Sequence, residues 1–478
     1  MTQSHTRSAG VLLHISSLPS GDLGLDAYRF VDFLAHVGAS VWQTLPVNMT
    51  HADHSPYQCL SAHAGNPAFI CLQSLVNEGL VDTNELSLGR EQVFKLAYQN
   101  FVQGNQLAAF NAFCQQHQHW LEDFALYLVL RDYMRCAGWH TWPVEYKNRD
   151  AKALQAFSQA HIDSIHVVKF TQFLFFNQWQ KLKQYAGSKH IQLFGDIPIF
   201  VAYDSADVWA NPHLFKLDEN KEMTVVAGVP PDYFSATGQR WGNPHYNWTV
   251  MAEDGYAWWV QRLSTQSELF DLVRIDHFRG LESAWEIPVT EETAINGHWA
   301  PAPGAELLTA IMKAIPNIHL VAEDLGIITP EVDALRHQYA LPGMKILQFA
   351  FGGDDTNPYL PEHIDENSVV YTGTHDNDTT LGWYHQAEPH VIEHLHQYLN
   401  QESPLMPDAL IVMAFETQAY LAVIPMQDIL GLDSTCRMNT PGTTVDNWRW
   451  RFKWEQLTPA YVEKFLVAIK QSGRKMHG

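Results

Sequence analysis

The amino-acid sequence predicts an α/β protein built on a (β/α)₈ barrel, with a large, mostly helical insertion and a second, loop-rich insertion. Eight short apolar runs recur along the 478 residues, helix-like segments lie between several of them, and two intervals are too long for ordinary connections. Continuous apolar runs of this length are typical of strands that are covered on both faces, as in parallel sheets. Eight such strands interleaved with helices favour a closed barrel.

The eight candidate strands are short, and many of them end in a polar or acidic residue. They are 10–19 (GVLLHISSLP), 39–47 (ASVWQTLPV), 191–201 (IQLFGDIPIFV), 271–278 (DLVRIDHF), 318–326 (IHLVAEDLG), 344–351 (MKILQFAF), 368–376 (SVVYTGTHD) and 419–428 (AYLAVIPMQD). Between the fourth and fifth strands, residues 306–315 (ELLTAIMKAI) have leucine and isoleucine at helical spacing and are followed by Pro316. This pattern predicts a helix that ends before the proline.

The barrel strands are unevenly spaced along the chain. About 140 residues separate the second and third strands, far more than a βα connection needs. Within that interval, residues 121–129 carry apolar side chains on one helical face, which predicts a mostly helical insertion at about residues 66–189. A second insertion, at about 203–255, is rich in Gly, Pro and aromatic residues and predicts an ordered loop. We expect the whole chain, 1–478, to form one catalytic barrel domain that carries both insertions.

The composition excludes several classes of protein. With 46% hydrophobic and 17% charged residues the chain is not disordered as a whole, and its net charge of −22 argues against binding to nucleic acid or to an anionic membrane. No apolar run approaches the roughly 18 residues of a membrane helix, and the N-terminus does not resemble a secretory signal. The five cysteines are scattered and never spaced as CxxC. This pattern fits a reducing compartment, so we expect a cytoplasmic protein.

Three acidic residues stand at the ends of predicted strands. Asp276, Glu323 and Asp376 follow the fourth, fifth and seventh runs, where the chemistry of barrel enzymes is concentrated. A single acid at a strand end is more often a helix cap or a partner of arginine. Three acids at equivalent places repel one another, which indicates a functional reason for their presence.

Cleavage of a glycosidic bond supplies such a reason. A retaining mechanism needs a carboxylate nucleophile and a carboxylic acid that first protonates the leaving oxygen and then acts as a base. Arg274 lies two residues before Asp276 and faces the same way, so its charge favours an ionised Asp276. Asp324 points away from Glu323 and is the weaker acid/base candidate. His375 lies beside Asp376 and can reach a sugar hydroxyl.

Motifs along most of the chain resemble the amylomaltase (4-α-glucanotransferase) family, which is related to the α-amylases. They are 55–67 (SPYQCLSAHAGNP), 195–201 (GDIPIFV), 231–244 (PDYFSATGQRWGNP), 273–280 (VRIDHFRG), 322–332 (AEDLGIITPEV), 343–351 (GMKILQFAF), 371–380 (YTGTHDNDTT) and 437–442 (RMNTPG). The resemblance implies transfer of α-1,4-linked glucan segments to the 4-hydroxyl of an acceptor glucose or maltooligosaccharide, through a covalent glycosyl-enzyme.

The resemblance also implies roles for individual residues. Asp276 is then the nucleophile, Glu323 the general acid/base and Asp376 the stabiliser of the transition state. Eleven further residues are expected to bind substrate or to support these acids: Ser55, Tyr57, Asp196, Asp232, Tyr233, Phe234, Trp241, Asn243, Arg274, His375 and Asn439. Of these, Asp232, Tyr233, Phe234 and Trp241 belong to a loop that in the family arches over the cleft.

Two other functions stay open at this point. An α-amylase-type hydrolase would use the same acids and pass the sugar to water, and a non-catalytic glucan-binding protein would need none of them. The presence of all three acids disfavours the binding protein, and the motif at 231–244 favours transfer. No nucleotide-binding motif is present, and the histidine clusters lack a metal-ligand spacing. We therefore expect no cofactor and no metal, with maltooligosaccharides and longer α-1,4-glucans as the only partners and the oligomeric state undetermined.

Overall fold

Eight parallel strands form one sheet in a computed structural model of the chain, which describes residues 6–104, 107–231 and 235–475. Each predicted apolar run supplies one of these strands, so the predicted barrel is confirmed. With strands numbered in chain order, their order in the sheet is β10-β11-β12-β1-β2-β3-β6-β9. The bounds of the described strands are β1 (Ser8–Leu12), β2 (Val41–Gln43), β3 (Gln192–Pro198), β4 (Val225–Val229), β5 (Gln239–Pro244), β6 (Leu272–Asp276), β7 (Ser283–Pro288), β8 (His298–Pro301), β9 (Leu320–Ala322), β10 (Gly343–Ile346), β11 (Ser368–Tyr371) and β12 (Leu421–Pro425).

The seam between β9 and β10 closes the barrel. The Ala322 N–H donates to the Pro342 carbonyl at 2.9 Å, and Oδ1 of Asp324 accepts from the Met344 N–H at 2.6 Å. A side chain at Gly343 would meet the Asp324 carboxylate, since its Cβ would lie 2.3 Å from Oδ2. Asp324 therefore has a structural position at the seam, on the opposite side from its neighbour Glu323.

The helices lie around the barrel and in the long interval between β2 and β3. Their bounds are α1 (Leu25–Val37), α2 (Leu72–Asn77), α3 (Arg90–Gln103), α4 (Leu107–Gln116), α5 (Gln118–Tyr133), α6 (Val144–Lys147), α7 (Ala151–Ala160), α8 (Ile162–Ser188), α9 (Ala206–Ala210), α10 (Trp248–Glu253), α11 (Ala257–Leu269), α12 (Gly304–Ala314), α13 (Pro330–Gln338), α14 (Thr380–Gln386), α15 (Pro389–Leu399), α16 (Asp408–Glu416), α17 (Met426–Ile429) and α18 (Pro459–Gln471).

Helices α2 to α8 occupy the interval for which the sequence predicts a helical insertion. The apolar face predicted on α5 is buried, with Leu121 and Ala125 fully inaccessible and Phe124 nearly so. It packs mainly against α8, whose phenylalanines form a cluster of tilted and edge-to-face rings with those of α4. This cluster lets the insertion bury apolar surface of its own beside the barrel.

A second sheet, antiparallel and four-stranded, lies within and beyond the loop-rich insertion. Its strand order is β5-β4-β7-β8, with Val225 opposite Pro288 and Gly228 opposite both Trp285 and Arg240. The sequence predicts an ordered loop here and no strands. The consequence for the site is that β5, which carries Trp241, is joined through β4 to β7, and β7 comes shortly after β6 in the chain.

The alternation of side chains along β6 separates the barrel interior from the surrounding helices. Leu272 packs with the interior cluster, whereas Val273 and Ile275 pack in the layer between the strands and the helices. Arg274 and Asp276, two and four residues after Leu272, therefore face the interior at the carboxyl end of the barrel.

Candidate active site

Arg274 lies at the centre of the site, between carboxylates on two neighbouring strands. Its Nη1 is 2.7 Å from Oδ2 of Asp196 and 2.9 Å from Oδ1, and its Nη2 is 2.8 Å from Oδ1 of Asp276. The Asp196 side chain is fully buried, but that of Asp276 keeps 29% of its surface exposed. One guanidinium thus holds two carboxylates, and of these Asp276 is the one that a ligand can reach.

Glu323 directly follows β9, and two backbone amides hold its carboxylate. Oε2 accepts from the His277 N–H at 2.6 Å, and Oε1 accepts from the Leu325 N–H at 2.9 Å. His277 has φ 53° and ψ 49°, a left-handed conformation that is uncommon for residues other than glycine. His277 directly follows Asp276, and this conformation directs its backbone N–H at the Glu323 carboxylate.

The two carboxyl groups have raised pKa values. Burial raises the pKa of Asp276 against the opposing charge of Arg274, and the carboxylates of Asp196, Glu323 and Asp376 add to the increase. Burial also raises the pKa of Glu323, although Arg274 and the two backbone amides lower it in part. The raised pKa values of both groups favour a state in which the pair holds one proton. Because Asp276 makes the direct ion pair with Arg274, the negative charge belongs on Asp276 and the proton on Glu323.

Asp376 is held from the segment that follows β12. Oδ1 accepts from Nδ2 of Asn439 at 2.6 Å, and the Asp376 carbonyl accepts from Nη2 of Arg437 at 2.5 Å. Arg437 also donates from Nε to the Asn439 carbonyl at 2.6 Å. The Asp376 side chain is 45% exposed, so its carboxylate is oriented by the protein and open to a ligand.

Tyr57 and His375 join Asp376 to the central arginine pair. The Tyr57 hydroxyl donates to Oδ2 of Asp196 at 2.7 Å, and Nε2 of His375 lies 2.8 Å from the same hydroxyl. Because that hydroxyl has already given its proton to Asp196, Nε2 of His375 is the donor in the second bond. Nε2 is also 3.4 Å from Oδ2 of Asp376, and burial lowers the pKa of His375. The two rings stack with centroids 5.3 Å apart.

The remaining predicted residues lie around this network. Trp241 on β5 meets His277 edge to face, with ring centroids 4.8 Å apart. Asn243 is buried, and its amide bonds to the Val201 carbonyl at 2.9 Å and to Gln58 at 3.1 Å. Both ends of that amide are used within the protein, so Asn243 holds loops together. Ser55 accepts from the Tyr57 N–H at 3.4 Å and steadies the turn before Tyr57.

Three of the predicted residues, Asp232, Tyr233 and Phe234, lie outside the described residues. Their roles over the cleft remain predictions.

Comparisons with known proteins identify the family. The family described as 4-alpha-glucanotransferase matches residues 13–458. The chain is 47% identical to a 4-alpha-glucanotransferase of Synechocystis sp., over 98% of this chain and 99% of that one. It is 45% identical to that of Thermus thermophilus, over the same shares. The chain belongs to the 4-alpha-glucanotransferase family.

Among solved structures, the amylomaltase of Streptococcus agalactiae in complex with acarbose superimposes with a TM-score of 0.94. It is 34% identical to this chain, and the match covers 98% of this chain and 100% of that one. The resemblance read from the sequence motifs is therefore confirmed. The enzyme is a 4-α-glucanotransferase, and the hydrolase alternative is not favoured.

Sequence reasoning missed two groups in the glucanotransferase site. Arg437 belongs to the motif RMNTPG, in which the sequence predicts a role only for Asn439. The two contacts of Arg437 are to backbone carbonyls, and no sequence pattern predicts them. Trp448 lies 5.9 Å from the Tyr57 ring and 6.0 Å from the His375 ring. No spacing in the sequence connects these three residues.

Two further findings concern metals and membranes. Across residues 6–104, 107–231 and 235–475, no group of three or more His, Cys, Asp or Glu side chains is arranged to hold a metal ion. Within the same residues, no helix has the length and apolar character needed to cross a membrane.

Proposed function

We propose that this 4-α-glucanotransferase moves α-1,4-linked glucan segments from a donor to the 4-hydroxyl of an acceptor glucose or maltooligosaccharide, with retention of configuration. The observation that carries this proposal is the convergence of Asp276, Glu323 and Asp376 around Arg274, which ion-pairs with Asp276 at 2.8 Å. A charged carboxylate beside a protonated one is the arrangement that a double displacement requires.

Asp276 is the proposed nucleophile and Glu323 the proposed general acid/base. In the first step an Asp276 oxygen bonds to the anomeric carbon, the glycosidic bond breaks, and Glu323 gives its proton to the departing oxygen. In the second step the acceptor hydroxyl gives its proton to Glu323 and its oxygen displaces Asp276. The ion pair with Arg274 and the raised pKa of Glu323 support these roles.

Asp376 is proposed to stabilise the oxocarbenium-like transition state. Its exposed carboxylate is fixed by Asn439, so it presents negative charge without needing to reorient during the reaction. His375 and Tyr57 supply donors and a flat ring beside it, which suit the hydroxyls and the face of a sugar. Asp196 has a supporting role, since it is fully buried and holds Arg274 and Tyr57.

The segment from Pro231 to Pro244 is proposed to hold donor and acceptor glucan over the cleft. Trp241 is its described aromatic residue near the site, in contact with the residue that follows Asp276. The flat apolar ring of an indole binds the apolar face of a sugar and excludes water. This positioning of an acceptor distinguishes transfer from the α-amylase-type hydrolysis that is the alternative.

Incubation with maltotriose tests the proposal. Transfer gives glucose together with oligosaccharides longer than maltotriose, while the number of reducing ends stays nearly constant. Proton NMR of the first products should show the α configuration. A steady increase in reducing ends, with no product longer than maltotriose, would establish hydrolysis. The Asp276→Asn variant is the control for contaminating activity.

Two wider expectations accompany this proposal. We propose that residues 1–478 act as one catalytic unit, with the insertions at about 66–189 and 203–255 as parts of it. Shared packing between α8 and α11 beside β3 supports a single unit. The proposed cytoplasmic location is supported by the five cysteines, all described and all free.

A further inference from the structure

A second cavity lies away from the active site, between α5, α9 and α11. Its volume is about 280 Å³, whereas one water needs roughly 10–15 Å³. Its described lining includes none of the residues of the active site. Trp258 and Trp120 are buried in its wall, and Gln261 and His213 are exposed at its mouth. The cavity is therefore a pocket that opens to solvent.

Aromatic rings form much of the pocket wall. Trp120 stacks on His63 with ring centroids 5.7 Å apart and planes 8° from parallel. Trp258 lies on the other side, on α11. Flat rings of this kind provide apolar surface for the face of a ring-shaped ligand.

Polar groups at the pocket have unused hydrogen-bonding capacity. Asp207 is buried, and its Oδ2 accepts from the Ala62 N–H at 2.8 Å. In the part of the chain that the structure describes, the buried indole N–H of Trp120 finds no acceptor. Asn211 donates to the Asp207 carbonyl at 3.2 Å, which leaves its amide oxygen available. The pocket lining therefore offers both a donor and acceptors to a ligand.

The charges around the pocket favour a neutral ligand. None of its described lining residues is Lys or Arg, and three are Asp, so a phosphate or other anion would be repelled. A cation is also disfavoured, because the buried Arg262 guanidinium already lies 5.5 Å from the Trp258 ring. Arg149 neutralises Asp123 at 2.5 Å, and burial raises the pKa of Asp207 to about 6.

We propose that this pocket binds a glucosyl unit of a long α-glucan whose other end occupies the active site. A glucosyl ring combines apolar faces with hydroxyl donors and acceptors and carries no charge, as the pocket requires. The choice of glucan among neutral sugars depends on the proposed function. The pocket then raises the local concentration of long chains at the cleft, and short oligosaccharides that cannot span both sites gain nothing.

Calorimetric titration of the Asp276→Asn protein with maltoheptaose tests for the second site without turnover. We expect two classes of binding site, because an excess of maltoheptaose places a separate molecule in each site. Adding Ala257→Trp, which fills the pocket from a half-buried position on α11, should abolish one class and leave the other unchanged. Ala156→Trp, on the exposed surface of α7, is the matched control and should retain both. Detection of one class in the Asp276→Asn protein, or of both after Ala257→Trp, would overturn the proposal.

Kinetics of the active enzyme provide the second measurement. Ala257→Trp should raise KM for long amylose by about threefold or more and leave the kinetics with maltotriose unchanged. If Ala257→Trp does not fold, Gln261→Ala is used with Gln155→Ala as its control, and it should weaken the second class of maltoheptaose sites alone. Tetramethylammonium or phosphate that competes with maltoheptaose for this class would refute a neutral sugar as the ligand. Failure of transfer with maltotriose would refute the proposed function without removing the second class.

Discussion

Replacing Arg274 by Gln removes the cation that ion-pairs with Asp196 and Asp276. An opposite charge this close, 2.8 Å from Asp276, typically lowers a carboxyl pKa by about 1–3 units. Its loss therefore raises the pKa of Asp276, which must be ionised to attack. The acid limb of the pH profile of kcat/KM should move to higher pH by about 1–3 units, and each unit reduces the ionised fraction about tenfold.

Asp196→Asn should move the same limb in the opposite direction. The Asp196 carboxylate raises the pKa of Asp276, so removing its charge lowers that pKa and extends activity to lower pH. Asn keeps an acceptor for the Tyr57 hydroxyl and for Arg274. The two variants together separate an electrostatic effect from a loss of structure. A loss of structure lowers activity at every pH, and it does not move the acid limb in opposite directions in the two variants.

The assay is the initial rate of glucose release from maltotriose, measured across pH at low substrate for each folded variant. Arg274→Lys is the matched control, since it keeps the charge but loses the two-pronged geometry, so kcat should fall while the acid limb stays near that of the wild type. Arg274→Gln also leaves the buried Asp196 unpaired, which should cost about 3–5 kcal/mol of stability, and urea denaturation should detect that loss. Displacement of the acid limb in the same direction by Arg274→Gln and Asp196→Asn would refute the electrostatic reasoning.

Three further predictions concern single side chains, and a fourth concerns metal ions. Asp276→Asn should reduce turnover to less than about a thousandth of wild type without unfolding, since deleting one strong catalytic group costs about 10²–10³ or more; greater residual activity would remove Asp276 as the nucleophile. Trp241→Ala should lower transfer to maltotriose more than release of reducing ends, and an unchanged ratio would show that Trp241 does not hold the acceptor. Arg437→Met should lower kcat about 10–100-fold with little change in KM, because misplacing Asp376 disturbs the reacting geometry; Arg437→Lys should restore part of it, and equal losses in both would argue against a positioning role. Activity should survive exhaustive chelation by EDTA, whereas a loss that calcium or zinc restores would contradict the metal-free mechanism.

The barrel was predictable because each of its strands lies in a short, largely apolar stretch of sequence. In the second sheet, β4 is a short apolar segment that contains Gly228, whereas β5 contains Gly242 and Pro244 and has no apolar run. The pairing of β4 with β7 depends on contacts such as Val225 with Pro288, which are distant in sequence, and β5 joins the sheet through β4. A pattern of apolar residues indicates that a segment is buried between other layers of the fold. It does not indicate which distant segments form hydrogen bonds with it.

The candidate acids were predictable because strand ends and side-chain alternation are local properties. Each of the three acids, Asp276, Glu323 and Asp376, comes at the end of a predicted strand. Side chains alternate along a strand with a period of two, so Arg274 was expected to face the same way as Asp276. The groups that orient them are not local. The His277 N–H reaches Glu323 only through a left-handed backbone, and Arg437 acts on the Asp376 carbonyl from 61 residues away.

His277 connects the roof of the cleft to the catalytic pair. Its ring contacts Trp241, its backbone amide holds Glu323, and its peptide bond joins it to Asp276. If Trp241 holds the acceptor as proposed, the acceptor presses on the same residue whose amide orients Glu323, the proposed base. Water makes no such contact, and it competes at about 55 M, while an oriented hydroxyl can reach an effective concentration of about 10⁵–10⁸ M. We therefore propose that the preference for transfer depends on His277, through which an acceptor is held and its base is aligned.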